Sequence, residues 1–121
     1  MAGDVRAEAT AVVAIAEAED PAHASVFSDG ERGYAASKSD PVRRLAARLA
    51  AKKAAVAALG GGLELADFAV ARGRGGPPRL ELSPRARDRV LALGGERTLV
   101  SLTHGRTHAA AAVFVLGPPR P

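Results

Sequence analysis

Arg44, Arg48 and Lys52 stand four residues apart, with Arg43 and Lys53 beside them and no carboxylate between Pro41 and Leu59. On a helix such residues face one another on adjacent turns, and like charges there repel by a few tenths of a kcal/mol per pair. A bound anion, or acidic groups from elsewhere in the fold, would relieve that repulsion. The chemistry suggested is phosphate binding. The alternative is a solvated basic face with snorkelling lysines, and spacing alone does not choose between them. Lys52 also falls within the apolar stripe of the segment, so its ammonium must snorkel out or meet a partner. His104 follows Thr103 at a turn, where a lone imidazole is more often structural than catalytic. Gly75-Gly76-Pro77-Pro78 reads as a hairpin turn. His23, His104 and His108 lack metal-ligand spacing, and no Ser-His-Asp, His-Glu-x-x-His or P-loop pattern is present.

These residues need a scaffold, and 121 residues allow one compact domain. Hydrophobic residues at 47% and charged residues at 25% describe a globular chain rather than a disordered one. Without Cys, disulfides, thiolate metal sites and Cys nucleophiles are excluded, and a cytoplasmic setting is expected. No apolar run is long enough to cross a bilayer, so a membrane partner is not expected. Aromatic residues at 3%, with no Trp, argue against base-stacking on nucleic acid. The net charge is +4, yet the segment from Pro41 to Leu59 alone carries five cations, so the rest sums to −1. The positive charge belongs to one helix.

Asp40 at the N-cap, Pro41 at N1 and Gly60-Gly61-Gly62 at the end delimit that helix, with Val42, Leu45, Leu49, Val56 and Leu59 along one stripe. Val5 to Asp20, rich in alanine, reads as an earlier, acidic helix stopped by Pro21. Ser28 and Glu31 form a capping-box signal for a short helix through Tyr34 to about Ser37. Strands are expected around Phe68–Val70 and over Arg79–Leu82, joined by a turn over 72–78. Ser83 and Pro84 open a helix through Leu93. Thr98–Thr103 and Ala109–Leu116 read as a hairpin turning at His104, Gly105 and Arg106. The fold class is α+β, a long basic helix packed on a small antiparallel sheet, with residues 1–116 as one domain and 117–121 as a Pro-rich mobile tail.

Four blocks resemble the holo-acyl-carrier-protein synthase family, the small 4′-phosphopantetheinyl transferases. They are Val26-Phe27-Ser28 with Tyr34 and Ser37-Lys38; Arg44-Leu-Ala-Ala-Arg48-Leu-Ala-Ala-Lys52 closing at Ala58-Leu59-Gly60; Gly76-Pro77-Pro78 with Leu80; and Val100-Ser-Leu-Thr-His104 followed by Ala109 to Val115. The resemblance implies the transferase fold, a homotrimer with active sites between subunits, coenzyme A as the phosphopantetheine donor, and an acyl carrier protein or biosynthetic complex as partner. It implies Asp4 as the metal-holding and catalytic carboxylate, with His104 as the second catalytic residue. Arg48, Lys52, Lys53, Gly76, Pro78, Thr103 and His104 are the implied cofactor-binding set. The Mg²⁺-ligating Glu of the family falls on Lys53, its phosphate-supporting Lys on Ala57, and the arginines of its carrier-docking helix on about Thr10, Glu17 and Asp20. A cation at the metal position repels Mg²⁺, and an acidic docking face repels an acidic carrier.

Two functions are therefore expected in competition. The first is a degenerate member that keeps the fold and at most binds coenzyme A or a pyrophosphate, or serves as a scaffold, alone or in a mixed trimer. The second is a working Mg²⁺-dependent transferase in which another carboxylate, such as Glu8 or Glu64, replaces the missing Glu. Nucleic-acid binding is the weakest candidate, because no reading motif accompanies the basic helix.

Overall fold

The computed structural model describes residues 3–72 and 76–119. In chain order its elements are β1 (Asp4–Ala14), α1 (Asp29–Ala36), α2 (Pro41–Leu59), β2 (Phe68–Arg72), β3 (Pro78–Leu82), α3 (Pro84–Ala92), β4 (Arg97–His104) and β5 (His108–Gly117). Short 3-10 turns at Ile15–Glu19, Pro21–His23 and Leu65–Asp67 link them. One antiparallel sheet has the order β1-β5-β4, and β2 and β3 form a separate hairpin. The class is α+β, with α2 laid across the sheet.

The segment from Val5 to Asp20, expected as a helix, is mostly strand. Ala7, Ala9, Ala11 and Val13 point toward α2, whereas Glu8, Thr10 and Val12 point away. That is a period of two, and β5 pairs with the segment from Asp4↔Gly117 to Ala14↔His108. Alanine propensity favours helix only weakly, and long-range pairing overrides it. The same alanines serve packing. Ala46, Ala47, Ala50, Ala51, Ala54 and Ala55 of α2 are buried against strands lined with Ala109 and Ala111, so helix and sheet approach closely. Leu49, Leu59, Phe68, Val113 and Val115 fill the remaining core.

Other boundaries follow the local signals. Ser28 Oγ accepts from the Glu31 amide at 3.1 Å, and Glu31 Oε1 accepts from the Ser28 amide at 2.9 Å, a closed capping box at α1. Pro41 opens α2 and Gly60, at φ +63°, ends it in a conformation that favours glycine. The Ser83 hydroxyl caps α3 by accepting from the Ala86 amide. The turn between β2 and β3 includes residues 73–75, outside the described residues, as are residues 120–121 of the expected tail. Of that tail, Gly117 is buried in β5 and the Pro118 carbonyl accepts from Arg6 Nη2 at 2.5 Å, so the sheet runs further than expected.

Candidate functional site

The ladder on α2 divides into residues with different fates. Lys52 is fully buried, and its Nζ lies 2.8 Å from Glu31 Oε1, whose side chain is equally buried. The ammonium also donates to the Phe68 carbonyl, and Glu31 Oε2 accepts from the Val70 amide at 2.9 Å. One ion pair thus joins α1, α2 and β2. Burial pulls the Lys52 ammonium below the usual lysine range, and Glu31 opposes that pull. Lys52, expected to touch the cofactor, is taken up by the core instead.

Arg48 is only 3% exposed. Its guanidinium lies 4.4 Å from the Tyr34 ring centroid, and Nη1 donates to the Arg44 carbonyl at 3.4 Å. Its Nε is buried with no hydrogen-bond partner among the described residues. Lys38 lies 5.1 Å from the same ring. Burial raises the Tyr34 hydroxyl, but Lys38, Arg44, Arg48 and Arg72 together hold it below the ordinary tyrosine value. Four cations converge on one phenol. The carboxylate joined to them is Asp40, which accepts from Arg44 Nε at 2.9 Å and holds its other oxygen 3.7 Å from His104 Nε2. Asp40 sits below the usual carboxylate range because Arg44 donates to it, against a desolvation that raises it. Clustered guanidinium groups around an aromatic hydroxyl, with one N–H unpaired, form an arrangement suited to a phosphate.

The remaining expected residues are spread around this cluster. His104 ends β4 beside the N-terminus of α2, and Thr103 is exposed on the opposite face of the strand, where it lines a shallow hollow of about 210 Å³ with Thr10, Val12, Ser101 and Ala112. Pro78 faces Arg72 in the β2–β3 register, so the hairpin brings Arg72 to Tyr34, and Gly76 lies just before it. Pro78 also borders a cleft of about 450 Å³ between β3, α3 and β4, which holds neither His104 nor Lys53.

Asp4 is not brought to His104. It pairs with Gly117, whereas the other end of β1 pairs with His108 beside the turn that carries His104. Ten residues of strand separate the two ends, about 33 Å. Within one copy of the chain, Asp4 and His104 therefore stand at opposite ends of the sheet.

Lys53 meets Glu17, which the sequence offered as a docking position and not as its partner. Its Nζ lies 3.2 Å from Glu17 Oε1, both side chains more than one-third exposed. Glu17 Oε2 accepts from the Ala14 amide at 2.8 Å, and that bond, followed by Lys53, lowers the carboxyl pKa. Glu8 points outward from β1, and Glu64 is exposed at the 3-10 turn beyond α2. Of the three expected docking positions, Thr10 faces outward on β1, Glu17 meets Lys53 and Asp20 caps the turn at Pro21, so they share no helical face. Only opposite charge could have signalled Glu17 and Lys53, and they lie 36 residues apart.

Mg²⁺ demands several oxygen ligands in near-octahedral order. At Lys53 one carboxylate is present and an ammonium already neutralises it. Among the described residues no three His, Asp or Glu side chains gather as metal ligands. The Lys53–Glu17 corner does not fit the ion, because the ammonium occupies the side of the carboxylate that a cation would take.

Fold and site together define a small α+β protein with a cluster of cationic side chains around Tyr34 at one end of a basic helix. No family model matches the chain. It is 45% identical over 96 residues to the holo-acyl-carrier-protein synthase of Anaeromyxobacter dehalogenans, covering 78% of this chain and 74% of that one. The solved Mycobacterium tuberculosis acyl carrier protein synthase superposes with a TM-score of 0.76 at 29% identity, covering 95% of this chain and all of that one. The Helicobacter pylori enzyme, solved with coenzyme A, gives 0.71 at 21% identity, covering 89% and 98%, and shares the fold. The chain belongs to the holo-acyl-carrier-protein synthase family.

Proposed function

We propose that this chain is a coenzyme A-binding member of its family that no longer carries out metal-dependent phosphopantetheine transfer. The observation that carries the reading is the Lys53–Glu17 pair, an ammonium where the family resemblance places the metal-ligating carboxylate. Binding is supported by the Tyr34 cluster, whose guanidinium groups suit a phosphate monoester such as the one coenzyme A carries on its ribose. That the H. pylori relative was solved with coenzyme A points the same way.

A homotrimer is part of the reading. The outward face of the β1-β5-β4 sheet exposes Val5, Val12 and Leu99, with Val12 at 66%, as expected of a surface that another copy covers. Arg48 and Lys53 project about 140° apart around α2, so one ligand would touch both only where two copies meet. The partner is an acyl carrier protein, a biosynthetic complex or an active homologue in a mixed trimer.

Intact-mass analysis of apo-carrier proteins incubated with the chain, coenzyme A and Mg²⁺ tests the reading. The expected result is no 4′-phosphopantetheine adduct, with coenzyme A binding retained in calorimetry. The second reading, an active Mg²⁺-dependent transferase, is favoured by the close similarity to curated synthases, and a clear adduct would establish it.

A further inference from the structure

The corner at Lys53 differs in kind from the Tyr34 cluster. Its ammonium is accessible, so an anion can reach it without disturbing the core. Its counter-ion is held in place, because Glu17 is anchored by the Ala14 amide and the adjoining Ile15 amide donates to the Thr107 carbonyl at 2.9 Å. Ala57, one turn further along α2, and Ala16 are exposed and offer only methyl groups, and on the far side of Glu17 His23 Nδ1 lies 2.8 Å from the Glu17 carbonyl. An accessible ammonium with a positioned counter-ion can exchange that counter-ion for another oxyanion at little structural cost.

We propose that the Lys53 ammonium is a built-in cation for the diphosphate of a coenzyme A-type ligand, standing in for a divalent metal, and that Glu17 keeps it oriented until the diphosphate displaces the carboxylate. This rests on the coenzyme A-binding reading. It makes binding independent of divalent cations and sensitive to salt, since a single exposed charge is readily screened.

Calorimetric titration of the full chain with coenzyme A, in EDTA and in Mg²⁺, tests this against Lys53→Met and Glu17→Gln. Wild type is expected to bind with the same affinity in both buffers. Lys53→Met should weaken binding about tenfold, the loss of one charge-assisted contact. Glu17→Gln should tighten it about twofold, because the ammonium loses its competing partner. A folding defect would weaken both variants, so the opposite signs separate the ligand effect from a structural one. Affinity that rises about tenfold with Mg²⁺, or Lys53→Met binding like wild type, overturns the inference and leaves the coenzyme A reading standing. No heat with wild type at millimolar ligand in either buffer overturns that reading and the inference with it.

Discussion

Lys52 and Lys53 are neighbours in sequence, each meets a glutamate, and the two pairs do opposite things. Lys52 and Glu31 are fully buried and every oxygen of the carboxylate is occupied. Lys53 and Glu17 sit half-exposed at the rim. About 100° of helix separates the two side chains. That rotation decides whether an ammonium is structural or available. A buried ion pair is costly to break because each partner left alone is an uncompensated charge, whereas an exposed pair is screened and contributes little.

The contrast can be broken at its buried end first. Lys52→Ala is expected to destabilise the fold by about 3–5 kcal/mol, measured by urea denaturation, and Lys52→Met combined with Glu31→Leu should recover only part of that loss, because the Val70 amide and the Phe68 carbonyl lose their partners. A Lys52→Ala variant as stable as wild type would show that the pair is not closed. Next in size is the stack at Tyr34. Arg48→Ala should weaken coenzyme A binding about tenfold or more, and Arg48→Lys should rescue only part of it, since an ammonium cannot reproduce a stacked planar guanidinium. Wild-type affinity in both variants would leave the cluster without a role in binding.

Acid titration sharpens the rim. Glu17 has its pKa lowered in the fold, chiefly by the Ala14 amide and then by Lys53. Its contribution is therefore present above the ordinary carboxyl value of 4.5 and is lost as pH falls through the lower folded value. Wild type should lose stability relative to Glu17→Gln over that acidic window, and parallel curves would refute the linkage. The smallest effect expected is Lys53→Ala, less than about 1 kcal/mol by thermal or urea denaturation. A larger loss would erase the distinction between the two lysines.

Much of this architecture is visible in local signals. Asp40-Pro41 and the three glycines bracket α2, Ser28 and Glu31 close the box on α1, and Ser83-Pro84 open α3. Glu31 shows where legibility ends. Its capping role follows from spacing, but its second oxygen reaches Val70, 39 residues away, and its charge answers Lys52. The alanine-rich start of the chain misleads for the same reason: its pattern suits a helix locally, and only β5 makes it a strand.

By itself the sequence determined that the positive charge lies on one helix, where that helix starts and stops, and which family blocks it carries. Caps, propensities and i, i+4 neighbours act within a turn or two, so they survive in a linear reading. The tertiary structure decided that β1 is a strand, that Asp4 lies at the end of it away from His104, that Lys52 is consumed by the core and that Glu17 answers Lys53. Pairing and burial join residues far apart in the chain, and no local pattern records which partner the fold will bring.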